Sequence, residues 1–127
     1  MGIKYVENPT TLGTKILNRR LELGLFQKDI AELFGVSEDT ITNWENERSI
    51  PQVQYYPKLI EYLGYFPFEV DTKTLGGKIK KYRFENGLTQ EILAQKLGVN
   101  ESTVFHYERN FHTPQPQIID KLNTLII

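Results

Sequence analysis

Apolar residues recur every three or four positions along most of the chain, which is the spacing of an amphipathic helix. Leu12, Ile16 and Leu23 follow Thr11, a residue type that caps helix N-termini, and Gly24 suits the left-handed residue after a helix. No window alternates with period two for long enough to predict a strand, so we expect an all-α protein. Further helices are expected to begin near Gln27 and Gln90, after Ser37 and Asn100, near Pro57, and after Pro114 and Pro116.

The same pattern occurs twice, 63 residues apart and without a gap. Thr11-Leu12-Gly13, for example, matches Thr74-Leu75-Gly76. A period of this length with only two copies indicates a duplicated domain, because solenoid repeats are shorter and more numerous. We therefore predict a first domain at 1–66, a linker at 67–74 and a second domain at 75–127.

The most informative unit in each copy is Gln-x3-Ala-x3-Gly-Val-x4-(Ile/Val)-x2-(Trp/Tyr)-Glu. A small Ala lets the next helix cross closely, and Gly supplies the positive φ of a tight turn. Val, Ile and the aromatic residue then fix the third helix from one side. This spacing is typical of a helix-turn-helix, whose second helix can enter a DNA major groove. The motif residues are Gln27, Ala31, Gly35, Val36, Ile41, Trp44 and Glu45, and then Gln90, Ala94, Gly98, Val99, Val104, Tyr107 and Glu108.

Both copies resemble the phage repressor/Cro-type helix-turn-helix domains, also called the XRE family. The resemblance covers all but the first ten residues and the linker. It implies two tandem lambda-repressor-like five-helix domains and sequence-specific binding of double-stranded DNA by a bacterial or phage transcription regulator. The third helix of each repeat would then read the major groove. It also implies structural ion pairs between the first and third helices, Arg20 with Glu45 and Arg83 with Glu108.

The resemblance also assigns roles at the DNA surface. A Gln at the start of each second helix is expected to contact phosphate. Asn43 suits bidentate recognition of adenine, and Thr42 or Phe105 suits contact with a thymine methyl group. Arg109 suits guanine or phosphate, and the first-turn acids either complement the helix dipole or accept from cytosine. The candidate DNA-contacting residues are Gln27, Lys28, Ser37, Glu38, Asp39, Thr42, Asn43, Asn46 and Arg48 in copy one, and Gln90, Asn100, Glu101, Ser102, Phe105, His106 and Arg109 in copy two.

Three positions depart from the usual pattern or qualify it. Phe26 stands where the family usually has Ser or Thr to cap the second helix. Glu47 occupies a Gly position after the third helix of copy one, and a left-handed conformation there would strain it. In copy two the same position is Asn110, which tolerates that conformation better.

Composition narrows the function classes further. The chain has 127 residues, a net charge of −1, no Cys and only two His. The missing Cys exclude disulfides and thiol catalysis, and a reducing cytoplasm is the expected location. No apolar stretch reaches the ~20 residues that span a bilayer, so no membrane partner is expected. Because no nucleophile–base pair, phosphate loop or metal constellation is visible, we expect no enzyme activity, no cofactor and no metal.

The small net charge conceals a difference between the copies. Residues 12–64 carry six basic and eight acidic side chains, whereas residues 75–127 carry seven basic and five acidic ones. Since phosphate neutralisation supplies most non-specific affinity, copy two is predicted to bind DNA more strongly.

Two partner questions remain open from the sequence. The acidic residues Glu38, Asp39 and Glu47 motivate an alternative in which copy one docks a protein partner and only copy two contacts DNA. The aliphatic end Ile126-Ile127 is expected to pack on the other copy or on a second chain, which leaves a homodimer possible.

Overall fold

The computed structural model describes residues 5–126, which form eight α-helices and no strand. The chain divides into two compact units, Met1–Pro67 and Phe68–Ile127. The all-α prediction with two helical units is confirmed. Each unit has four α-helices where the resemblance implied five, and the first adds a short 3₁₀ helix at Val53–Tyr55. The helices are α1 (Leu12–Leu23), α2 (Gln27–Phe34), α3 (Glu38–Glu45), α4 (Tyr56–Leu63), α5 (Leu75–Glu85), α6 (Gln90–Leu97), α7 (Glu101–Glu108) and α8 (Pro116–Ile126).

The first helix of each unit begins at the predicted cap. Thr11 Oγ1 accepts from the Thr14 amide at 3.2 Å, and Thr74 Oγ1 accepts from the Gly77 amide at 3.0 Å. These hydrogen bonds satisfy amides that a helix N-terminus leaves without a partner. α1 then ends at Gly24 with φ 68°, the left-handed conformation that glycine adopts without steric cost.

The N-terminal caps of the two third helices differ, and the second helix of the first unit has a cap of another kind. Ser37 Oγ accepts from the Thr40 amide at 3.2 Å, whereas Asn100 occupies the same position without a side-chain cap. At Phe26 no side-chain oxygen is available, so Asp29 accepts from the Phe26 amide at 2.8 Å. This bond is half of a capping box, and it accounts for a stable α2 despite an unsuitable cap residue.

Each unit has its own hydrophobic core. In the first, Trp44 is 4 % exposed and its ring meets the Phe34 ring edge-on, with centroids 5.6 Å apart. Burial raises the pKa of the Tyr62 phenol, which donates to the Ile16 carbonyl at 2.9 Å. The first core contains Ile16, Ile30, Ala31, Phe34, Ile41, Trp44, Leu59, Tyr62 and Leu63, and the second contains Ile79, Leu93, Ala94, Leu97, Val104, Tyr107, Ile118 and Leu122.

A close contact holds the start of α5 against the end of α7. Gly76 is buried, and a Cβ on it would lie 2.5 Å from the Tyr107 carbonyl oxygen and 2.6 Å from that of Glu108. The Gly76 amide also donates to Asn110 Oδ1 at 2.9 Å. In the first unit Gly13 lies against the Trp44 carbonyl in the same way. The absence of a side chain at this position therefore lets the start of each first helix lie against the end of each third helix.

The segment before α1 is attached to that helix through the buried amide of Asn18 and through the Tyr5 hydroxyl, which donates to Glu22 Oε1 at 2.9 Å. Asn18 is 3 % exposed, its Oδ1 accepts from the Val6 amide at 2.7 Å, and its Nδ2 donates to the Val6 carbonyl at 2.6 Å. Two hydrogen bonds to the backbone of Val6 hold this segment against α1.

The structure describes the whole of the predicted linker, 67–74, and the first residue of the predicted apolar end. The Phe68 ring packs on Phe84 with centroids 5.0 Å apart, and the Asp71 carbonyl accepts from the Thr74 amide and hydroxyl. Ile126 is 37 % exposed, and Ile127 lies outside the described residues. None of the described helices is both long and apolar enough to cross a membrane.

Candidate nucleic-acid interface

A buried ion pair attaches α3 to α1. Arg20 Nε lies 2.8 Å from Glu45 Oε2 and Arg20 Nη2 lies 2.9 Å from Glu45 Oε1, so the pair is bidentate. The third guanidinium nitrogen donates to the Leu25 carbonyl at 3.1 Å. Only 6 % of the Arg20 side chain and 3 % of the Glu45 side chain are exposed. Hydrogen bonding to Glu45 raises the pKa of Arg20, and the predicted ion pair is confirmed.

The second unit repeats this geometry 63 residues later. Arg83 Nε lies 2.6 Å from Glu108 Oε2, Arg83 Nη2 lies 3.0 Å from Glu108 Oε1, and Arg83 Nη1 donates to the Leu88 carbonyl at 3.1 Å. A bidentate guanidinium–carboxylate pair constrains orientation as well as distance. Each third helix is thus held to its first helix at a defined rotation.

The two glutamines predicted to contact phosphate also bond to this ion pair. Gln27 Nε2 donates to Glu45 Oε1 at 3.0 Å, and Gln27 Oε1 accepts from the Thr42 hydroxyl at 2.9 Å. Gln90 Nε2 donates to Glu108 Oε1 at 3.2 Å. A carboxamide nitrogen has two hydrogens, so one of them stays available in each glutamine. Contact with phosphate therefore stays a prediction for both.

The outward face of α3 carries the candidate residues of the first unit. Glu38, Asp39 and Asn46 are exposed, and Asn43 is partly exposed. Thr42 is also partly exposed, and because its hydroxyl donates to the glutamine, its methyl group is the part left for a ligand. Ser37 and Arg48 flank α3 along the chain, Lys28 lies in the first turn of α2, and all three are exposed.

The corresponding face of α7 is more aromatic and more basic. Glu101, Ser102 and Asn100 are exposed at its start, and His106 is partly exposed in its last turn. Phe105 is 39 % exposed, so part of its ring is available to a neighbouring side chain or a ligand. Arg109 directly follows the helix and is exposed.

The structure adds two residues to this face that the sequence did not predict. The Arg109 guanidinium carbon lies 5.1 Å from the centroid of Phe105 and 5.6 Å from that of Phe111. The His106 ring lies 4.9 Å from that of His112. We call these five residues the aromatic–basic cluster. The only signal in the sequence was that large side chains follow the third helix of copy two where small ones are usual. The first unit has Thr42, Asn43, Asn46, Arg48 and Ser49 at the same positions.

Glu47 adopts the left-handed conformation that its position predicted, with φ 63°, and Asn110 has φ 59°. We expect Glu47→Asn to stabilise the first unit by about 0.5–1 kcal/mol, because asparagine tolerates this conformation better and supplies an acceptor for the Gly13 amide. Urea unfolding followed by Trp44 fluorescence measures this, since Trp44 is the only tryptophan in the chain. Glu61→Asn, an exposed charge removal in α4, is the control, and equal effects of both changes would contradict the argument.

Other chemistries have little support in the described part of the chain. Among residues 5–126, no group of three or more His, Cys, Asp or Glu side chains is placed to hold a metal ion. The two histidines of the aromatic–basic cluster have no acidic or further histidine partner placed to complete a site. Both third helices instead have an exposed outward face, polar in α3 and partly aromatic in α7, and an inward carboxylate that is paired with an arginine.

Comparison with known proteins identifies the family. The helix-turn-helix family model HTH_3 matches residues 16–69 and 79–125, which together span well over half of the chain. The matched segments contain both ion pairs and both third helices. Searches of curated proteins and of solved structures returned no significant match. The chain therefore belongs to the helix-turn-helix family of DNA-binding regulators.

Proposed function

We propose that this protein is a sequence-specific, double-stranded-DNA-binding transcription regulator of bacterial or phage type, with α3 and α7 as its recognition helices. The observation that carries the proposal is that the two sides of each third helix differ. One side holds the buried carboxylate of the ion pair, and the other side is exposed and rich in hydrogen-bonding groups. A helix held in this way fits the width of the major groove and keeps its orientation on binding.

In the first unit, Asn43 is the strongest candidate for base recognition. It is partly exposed in the middle of α3, and its amide matches the donor and acceptor edge of adenine. The Thr42 methyl group beside it suits a thymine methyl. Lys28 and the backbone amides at the start of α2 suit phosphate, because a helix N-terminus favours anions.

In the second unit, positive charge supports tighter binding. This unit has an excess of two basic side chains, and α5 contributes Lys78, Lys80 and Lys81. His106 occupies the position that corresponds to Asn43, and Gln90 has an acceptor oxygen to which no residue of the described chain donates. These groups together favour phosphate neutralisation and hydrogen bonding to base edges.

The acidic face of the first unit supports one alternative. Glu38, Asp39 and Glu47 are exposed and form no ion pair with any residue of the described range. The charge of this face is opposite to that of a basic protein partner and has the same sign as DNA phosphate, so it favours the protein partner. In this alternative, only the second unit contacts DNA.

A mobility-shift series on the full chain tests both versions. The duplex is first selected from random double-stranded DNA, and binding is then compared for Asn43→Ala and His106→Ala. We expect each change to weaken binding by about 1–3 kcal/mol, because each removes a side chain that faces a base edge. Gln95→Ala, an exposed change in α6, is the control.

The outcomes separate the two versions. Weaker binding by both variants supports two recognition helices, whereas weaker binding by His106→Ala alone supports the version in which only the second unit contacts DNA. If neither variant differs from the control, α3 and α7 do not read DNA and the proposal fails.

A further inference from the structure

Arg109 has an unusual environment for an exposed arginine. Its guanidinium carbon lies 5.1 Å from the centre of the Phe105 ring and 5.6 Å from the centre of the Phe111 ring. Both distances are within the range in which a cation is attracted to an aromatic face. Phe111 is 62 % exposed, so the two rings do not belong to the core and are available to order the arginine.

The charge of Arg109 has no partner among residues 5–126. No carboxylate of the described chain lies within ion-pair distance of its guanidinium, and no side chain or carbonyl there accepts a hydrogen bond from it. Arg20 and Arg83, in contrast, each use their nitrogens on a glutamate and a carbonyl. All five N–H donors of Arg109 are therefore free for a ligand.

We propose that Arg109, ordered by Phe105 and Phe111, is the guanine-reading group of the second unit, and that Phe111 acts as its positioning residue. The inference rests on the proposed function. It adds a base identity, and it extends the recognition surface beyond the end of α7. Two adjacent N–H groups of a guanidinium match the O6 and N7 acceptors of guanine in the major groove.

The contacts with the two rings order the Arg109 side chain before DNA binds, and this order favours its recognition of guanine. An arginine loses side-chain entropy when it is fixed on a base, and a guanidinium that is already held against aromatic rings loses less of it. These contacts with the rings use none of its N–H groups in a hydrogen bond within the described chain. Lysine cannot replace this arrangement, because its ammonium group is a point charge without a planar edge.

The first unit offers no equivalent group. The positions that match Phe105, Arg109 and Phe111 are Thr42, Asn46 and Arg48. No aromatic ring is present there to order a guanidinium. We therefore assign guanine recognition to the second unit, so the two halves of the bound sequence are expected to differ.

The experiment uses the full chain and three variants. Wild-type protein first selects duplexes from random DNA. Affinities of wild type, Arg109→Lys, Phe111→Leu and Phe111→Tyr are then measured by fluorescence anisotropy on the selected duplex, on duplexes with each guanine replaced, and on an unrelated duplex. Lys96→Arg, a charge-preserving exposed change at the end of α6, is the control. Unfolding curves by circular dichroism check that every variant is folded.

We expect Arg109→Lys to lose about 10- to 100-fold in affinity for the selected duplex and to stop discriminating one guanine. Affinity for the unrelated duplex should stay the same, because the charge is retained. Phe111→Leu should lose the same discrimination, and Phe111→Tyr should keep it because the ring remains.

Three results would overturn the inference. If Arg109→Lys keeps the guanine preference, another group reads that base. If its affinity falls equally for all duplexes, Arg109 contacts phosphate. If Phe111→Leu keeps the preference while Arg109→Lys loses it, the positioning role is wrong. A wild-type protein that binds no duplex at low salt would overturn the proposed function and this inference together, so the two failures are distinguishable.

Discussion

Replacing Glu45 with alanine is expected to destabilise the first unit by about 3–5 kcal/mol, which is the usual cost of removing one partner from a buried ion pair. The change leaves the Arg20 guanidinium buried without its carboxylate, and it removes the acceptor of the Gln27 amide. The large effect comes from the uncompensated charge and the unmet hydrogen bonds. Trp44 fluorescence during urea unfolding reports this unit alone.

A double variant supplies the matched control. Arg20→Met combined with Glu45→Leu removes both charges and keeps similar volume, and such replacements are often neutral or stabilising. We expect the double variant to be much closer to wild type than Glu45→Ala is. If both lose the same stability, packing and not the buried charge determines the cost. If Glu45→Ala costs less than about 1 kcal/mol, the pair behaves like an exposed one.

Replacing Gly76 with alanine is expected to destabilise the second unit by about 2–3 kcal/mol, as overpacking does. The added Cβ would lie 2.5–2.7 Å from the Tyr107 and Glu108 carbonyls and Asn110 Oδ1, and backbone atoms cannot rotate away. α5 must then move off the end of α7. Helix propensity alone predicts the opposite sign, since alanine is favoured over glycine by about 1 kcal/mol in a helix.

The effect of Gly76→Ala is measured by urea unfolding of the full chain, with the wild-type protein as reference. Far-UV circular dichroism follows the unfolding of both units, and the Trp44 fluorescence transition should stay at the wild-type urea concentration. Gln95→Ala places an alanine on an exposed face of the same unit and should change stability by less than about 0.5 kcal/mol. A Gly76→Ala protein that is as stable as wild type would show that the close approach of α5 and α7 is not required.

Local signals in the sequence predicted much of the fold. Thr11, Thr74 and Gly24 mark helix ends through hydrogen bonds or φ values that involve only their neighbours in sequence. The spacing of Ala, Gly and Trp or Tyr predicts the helix-turn-helix in both copies. The fifth helix was implied by resemblance alone. Between α3 and α4 the structure has only a 3₁₀ turn, because this stretch lacks helical apolar spacing and contains Pro51.

The candidate site was less predictable than the fold, because several of its contacts depend on side-chain conformation. Nothing in the sequence shows that Arg109 lies near two aromatic rings, because three side-chain rotamers must agree for these contacts to form. The attachment of Val6 by Asn18 is equally hidden, since an asparagine in a helix usually faces solvent. Whether the outward residues of α3 and α7 contact DNA depends on a ligand and stays a prediction.

The duplicated ion pair has a consequence for how such proteins diversify. Each third helix is anchored by Glu45 or Glu108 and by a glycine contact at its end, whereas most outward side chains touch neither anchor. Mutations on the outward side are therefore expected to have little effect on folding. The two copies already differ there, since the aromatic–basic cluster of the second has Thr42, Asn43, Asn46, Arg48 and Ser49 at the matching positions of the first. A third helix transplanted from one copy to the other would meet the same kind of ion pair and glycine contact, so we expect its outward side to be exchangeable without loss of the fold.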